Sequence, residues 1–109
     1  MSLSKRARKQ LEERDKYCWH CGVDSDLVPH HRKNRKAGGS KLLDRLDNII
    51  LVCPVYNMLM ESDADVAAKA RTFGHKLRSW EDFSVEVFDT PSATWYVLDE
   101  GGQKWTSKN

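Results

Sequence analysis

At 109 residues, with 31% charged side chains and a mean hydropathy of −0.69, the chain has apolar surface for one small core and little more. It holds no run of about 18 apolar residues that would span a membrane, and its opening MSLSKRARKQLEERDK lacks the apolar stretch of a secretion signal. Three cysteines, two of them in a CxxC pair, argue against a disulfide framework and for metal-bound thiolates in a reducing compartment.

In chain order, SKRARKQLEERDK combines strong helix formers with a sparse apolar face. It predicts an exposed, basic helix from about residue 4 to 16, a solubilising lead-in. YCWHCG reads as a tight turn, with Gly22 supplying the permissive backbone of a knuckle. DLVPHHR predicts a short strand, Pro29 marking an edge or a bulge. KNRKAGGSKLLDRLD predicts a polar, basic loop hinged at Gly38–Gly39. NIILVC, short, continuous and β-branched, is the best buried strand. Pro54 stands where a helix-initiating proline belongs, so PVYNMLMES predicts a helix, with Met58, Leu59 and Met60 as core filler. Ser62 and Asp65 have capping-box spacing for DADVAAKARTF, which Gly74 ends, leaving His75 as a helix-end cation. SVEVFD and TWYVLDEGGQKWTSK predict strands, with a hairpin turning at Gly101–Gly102. The four tryptophans, Trp19, Trp80, Trp95 and Trp105, are expected to pack the core or the tail hairpin.

The net charge of +2 is unevenly spread. Residues 1–79 hold 16 Lys/Arg against 10 Asp/Glu, whereas residues 80–109 hold 2 against 6. A basic region followed by an acidic tail suits a binder of phosphate backbones, and a solvated basic surface has the same composition. The basic part contains all the chemistry-bearing side chains. His30 and His31 are adjacent on a strand and point to opposite faces unless Pro29 bends the chain. One imidazole can hold a divalent cation while the other takes a proton from water. Asn57 and Glu61 lie one helical turn apart and share a face, offering hard oxygen donors suited to Mg²⁺ or Mn²⁺. A solvated helix face has the same spacing.

Taken together, CWHCG, VPHHRKNRKAGGS, LDNIILVC and NMLMES resemble the HNH endonuclease family, and most closely its small bacteriophage-type members. The likeness covers about residues 17–77. It implies an α+β fold with a ββα-metal, treble-clef-like core at 17–77, preceded by the basic helix at 1–16. A following helix and an acidic C-terminal β-hairpin extension at 78–109 complete the expected chain. By the same resemblance His31 is the general base, and Asn48 orients it by hydrogen bonding across the two strands. His30 and Asn57 hold the catalytic divalent ion (Mg²⁺, Mn²⁺, Ni²⁺ or Zn²⁺), with Glu61 a further candidate ligand. Arg32, Arg35, Lys36 and Lys41 are the expected DNA-backbone contacts, and Trp19 is the tryptophan to test for contact with DNA. The partner implied is DNA, with phage terminase or packaging proteins as a second. The location implied is the bacterial cytoplasm, with no membrane contact.

The family's second knuckle would place a cysteine at position 56, where this chain has Tyr56. A phenol is a poor zinc ligand near neutrality. Three readings stand open. Structural zinc is held by Cys18, Cys21 and Cys53, with water, His20, His75, Asp24 or Asp26 as the fourth ligand. Or the metal is lost and Tyr56 packs in its place. Or Tyr56 leaves a weakened domain. The rival to an enzyme is a treble-clef-like DNA-binding module whose nuclease site has decayed, and a third possibility is a nuclease acting on RNA or structured DNA.

Overall fold

The computed structural model describes residues 3–33 and 41–107. Helix α1 (Lys5–Arg14) leads to strand β1 (Val28–His31), two 3₁₀ turns (Lys41–Asp44 and Leu46–Asn48) and strand β2 (Ile49–Val52). Helices α2 (Pro54–Ser62) and α3 (Ala64–Thr72) follow, and then strands β3 (Val87–Asp89), β4 (Thr94–Leu98) and β5 (Lys104–Thr106). The architecture is α+β, with two small antiparallel sheets, β1–β2 and β3–β4–β5. Among the described residues no helix is long and apolar enough to cross a membrane.

β2 is the spine. All four of its residues are buried, because each face of the strand meets a different layer. Ile50 and Val52 enter a cluster with Cys18, Trp19, Tyr56, Met60, Ala70, Val87 and Leu98. Ile49 and Leu51 turn the other way, onto Leu11 and Leu46. An apolar run without alternation is what burial on both faces requires.

The first helix is no solubilising lead-in. Leu11 is fully buried, and Arg14 and Asp15 are buried with it. The Arg14 guanidinium donates to the carbonyls of Leu46 (2.9 Å) and Ile49 (2.6 Å). It also forks onto the Asp15 carboxylate at 2.7 and 2.9 Å. Asp15 in turn accepts the Leu51 N–H at 3.1 Å. β1 pairs with one edge of β2, in the register His30↔Ile50 and His31↔Ile49. Arg14 and Asp15 satisfy polar groups on the other edge, which would otherwise be unpaired.

α2 opens at Pro54 as the sequence predicts, with Cys53 as its N-cap. The cap of α3 is Asp63, whose carboxylate accepts the N–H groups of Asp65 and Val66, and not Ser62, whose hydroxyl donates back to Met58 O within α2. Gly74 ends α3 with φ of +72°, and a Cβ there would lie 1.9 Å from Glu86 O. Glycine is needed at that position both for the left-handed backbone and for the close approach of the tail.

The tail forms a three-stranded sheet of which the predicted hairpin, β4–β5, is one part. Asp99 organises its turn, accepting from the N–H of Gly101 (3.0 Å) and Gln103 (2.9 Å) and from the Trp105 indole (2.8 Å). The sheet packs on the knuckle: Tyr17 donates to Asp89 at 2.6 Å, and Trp19 meets Tyr96 edge to face at 5.8 Å. Trp19 is buried and offers no face to DNA. Trp105 lies in the hairpin strand β5 as expected, though exposed; Trp80 is exposed and in neither core nor hairpin; Met58 is exposed while Met60 is buried.

Candidate metal centre and histidine cluster

The knuckle is built by two backbone bonds, Gly22 N–H to Cys18 O at 3.0 Å and Cys18 N–H to Val23 O at 2.8 Å, with Gly22 at φ +83°. Cys53 arrives from the end of β2. Together they bring the sulfurs of Cys18, Cys21 and Cys53 within 4.8 Å of one another. Zinc–thiolate bonds of about 2.3 Å in a tetrahedron set sulfurs about 3.8 Å apart, so a small contraction closes the set around an ion. Backbone N–H groups point at two of the sulfurs. The His20 N–H donates to Cys18 Sγ (3.4 Å), the Tyr56 N–H donates to Cys53 Sγ (3.3 Å), and Cys53 caps the N-terminus of α2. A backbone hydrogen bond from Val23 holds the Cys21 thiol below its ordinary value, while burial pushes the Cys53 thiol up. These three cysteines can bind a metal such as zinc.

Among the described residues no histidine, aspartate or glutamate joins the set, so His20, His75, Asp24 and Asp26 are not its fourth corner. Tyr56 is not either. Its ring stacks on His20 with centroids 4.0 Å apart, and its hydroxyl lies 2.6 Å from His75 Nδ1. His75 Nε2 lies 2.7 Å from Phe88 O. A carbonyl can only accept, so Nε2 carries the proton and Nδ1 accepts from the phenol. Burial raises the Tyr56 pKa and lowers that of His75 to about 3, which keeps both groups neutral. His75 is therefore no helix-end cation; it is fully buried and anchors the phenol.

A second cluster forms on the other side of His75. His30 is buried, and its Nε2 donates to His75 O at 2.8 Å. Burial holds the His30 pKa down to about 4, with smaller influences from the His75 carbonyl, Lys76, Glu61 and Asn57. Lys76 Nζ stands 3.1 Å from Glu61 Oε2. β1, α2 and the segment after α3 thus bring His30, Asn57, Glu61 and Lys76 to one place. An imidazole, a carboxamide and a carboxylate are donor types that suit a hard divalent cation, and the carboxylate is already paired with an ammonium.

His31 faces away from His30 and is half-buried, its Nε2 2.9 Å from Asp44 Oδ1. Nε2–H donates to the carboxylate, so in the neutral ring the lone pair is on Nδ1. Asn48 does not reach across to His31. Its fully buried amide accepts the Lys33 N–H (2.8 Å) and donates to Lys33 O (3.2 Å) and Leu43 O (2.8 Å). It fixes the backbone that follows His31 and the 3₁₀ turn that carries Asp44.

Arg32, expected to contact the DNA backbone, is completely buried. Its guanidinium donates to the carbonyls of Gly74 (2.8 Å), Asp47 (2.8 Å), Phe83 (3.1 Å) and Val85 (2.6 Å). Four internal acceptors hold it where no phosphate can reach. Arg35 and Lys36 lie outside the described residues, and Lys41 is described only as the first residue of a 3₁₀ turn. Among the described residues, Lys33 follows His31 by two positions and Arg45 follows Asp44; both are set over the Phe83 ring, at 4.7 and 5.0 Å, and Arg45 is also paired with Asp47 at 2.6 Å.

Sequence reasoning missed Asp44, Lys76 and the Tyr56–His75 pair. Asp44 had a local signal, since it lies four residues before Asn48 in LDRLDN; Lys76 had none. In comparison with family models, curated proteins and solved structures, none matches the chain.

Proposed function

We propose that the chain is a metal-dependent nuclease of HNH type that hydrolyses DNA phosphodiester bonds, with a thiol-bound zinc as its structural ion. The observation that carries this reading is that β1 presents His30, bonded to the His75 carbonyl next to the Lys76–Glu61 pair, and His31, paired with Asp44. In this reading the β1–β2–α2 unit is the ββα-metal core.

His31 Nδ1 takes a proton from water as the water oxygen bonds to phosphorus, and the bond to the 3′ oxygen breaks. Asp44 holds the imidazole by its Nε2–H and balances the positive charge that forms on the ring. Asn48 fixes the backbone on which that pair depends. A divalent ion held by His30, Asn57 and Glu61 would supply positive charge to the same phosphate, which requires the His31 side chain, paired with Asp44 in this structure, to swing toward the face of β1 that carries His30. Lys33 and Arg45 replace Arg32 as the phosphate contacts. A second reading, a DNA-binding module without activity, draws on one observation, that the Glu61 carboxylate is already neutralised by Lys76.

Plasmid cleavage with Mg²⁺, Mn²⁺ or Ni²⁺ tests the proposal. Wild type should cut, and His31→Ala should lower the rate about 10²–10⁴-fold. Steeply salt-dependent DNA binding without cutting by any form would hand the case to the module. Equal cutting by both proteins would remove His31 as the base.

A further inference from the structure

We infer that Lys76 is a positioning residue that competes with a divalent ion at the His30–Asn57–Glu61 cluster. The inference rests on the reading of that cluster as a cation site and concerns how the ion gains access to it.

Lys76 is placed by its neighbours. Gly74 turns the chain out of α3, the His75 side chain is fixed to Tyr56 and Phe88, and the His75 carbonyl receives His30 Nε2. The next residue is therefore brought against the cluster by three contacts that do not involve its own side chain. That side chain is 9% exposed, and its ammonium sits 3.1 Å from Glu61 Oε2, whereas the Glu61 side chain is 53% exposed. An ammonium so thoroughly withdrawn from water needs a partner, and Glu61 provides one.

The same carboxylate is the strongest donor the cluster offers to a hard cation. A divalent ion reaching Glu61 must either displace the ammonium or tolerate its charge at contact range. Either route weakens binding, by about tenfold for charges this close in a partly hydrated setting. Lys76 thereby makes occupancy of the site depend on free-ion concentration and confines the ion to conditions in which Glu61 is released.

The test is calorimetric titration of Mn²⁺ into the full chain loaded with zinc, so that the thiols are already engaged. Lys76→Met should bind Mn²⁺ about tenfold tighter than wild type, whereas Lys76→Arg, which keeps the charge, should stay within about twofold of it. Lys76→Gln serves as a second neutral variant if methionine disturbs the packing. His30→Ala should abolish binding in both the wild-type and the Lys76→Met backgrounds. If His30→Ala abolishes binding while the neutral variants match wild type, the role of Lys76 is overturned and the cation site stands. If His30→Ala leaves Mn²⁺ binding unchanged, or if no variant binds, the cation site itself is overturned. A purely structural lysine would change melting temperature in these variants without separating Arg from Met in affinity.

Discussion

Replacing Arg32 by Met or Lys distinguishes an internal strut from a DNA contact. The guanidinium satisfies four carbonyls drawn from three separate segments, the turn before β2, the end of α3 and the stretch leading to β3. Methionine fills much of the volume and leaves four acceptors without a donor. Each buried polar group left unpaired costs about 1–3 kcal/mol. Against that sum stands the several kcal/mol no longer spent on burying the charge, so a net loss of about 3–5 kcal/mol is expected, as for other broken buried charge networks. A chain of 109 residues has on the order of 5–15 kcal/mol in total, so the variant lies near the edge of folding. Urea denaturation followed by tryptophan fluorescence should show a midpoint lower by about 2 M, taking a slope of about 2 kcal/mol per M. Arg32→Lys keeps the charge but cannot span four acceptors, and should fall between the two. If Arg32→Met matches wild type to within about 1 kcal/mol and instead lowers the salt slope of DNA binding, the buried-strut assignment is refuted.

Stability should also fall with acid. His30 and His75 are held neutral, at about 4 and about 3, so the unfolded chain takes up protons below about 6.5 that the folded chain refuses. Their contribution is complete above that pH and is lost as pH falls. Two protons are worth at most about 4 kcal/mol between pH 6.5 and 5, and His75→Gln should halve the slope of unfolding free energy against pH in chelated protein. A flat profile over that range would contradict the neutral assignments. Tyr56→Phe should cost about 1–3 kcal/mol, because it strips His75 Nδ1 of its donor, yet leave zinc affinity unchanged in a chelator competition. A tenfold weaker zinc complex would make the phenol a ligand after all. Removing zinc with chelator should lower the melting temperature by on the order of 10 °C, given about 2.7 kcal/mol at a free zinc concentration of about one hundred times Kd. Cys21→Ser should melt alike with and without chelator.

The elements that can be read from the sequence are those whose signals are local. NIILVC announces a doubly buried strand, Pro54 a helix start, and Gly74 and Gly102 backbones of positive φ. What escapes is polar burial. Arg14, Asp15 and Arg32 look like solvated charge in a basic sequence, and only the fold shows that their partners are main-chain carbonyls and amides. No periodicity encodes an acceptor 35 or 53 residues away. The site divides in the same way. His30, His31 and Asn57 stand out by type and spacing, whereas Asp44 and Lys76 gain meaning only from side chains 13 and 15 residues distant.

His75 explains how a chain without a fourth knuckle cysteine can keep its two candidate centres in register. Its side chain holds the hydroxyl of Tyr56, whose backbone N–H donates to Cys53 Sγ, while its main-chain carbonyl holds His30 Nε2. The two bonds come from one residue pinned on its other side to Phe88 of the tail sheet. α2 makes the second link, because Cys53 caps the helix whose next turn presents Asn57 and whose last turn presents Glu61. The thiol cluster and His30 are therefore joined by two routes, one through α2 and one through Tyr56 and His75. Tyr56 thus cross-links the two clusters from within the protein. A fourth cysteine would bind the ion at position 56; here Tyr56 points its hydroxyl to His75 instead, and that attachment does not depend on metal.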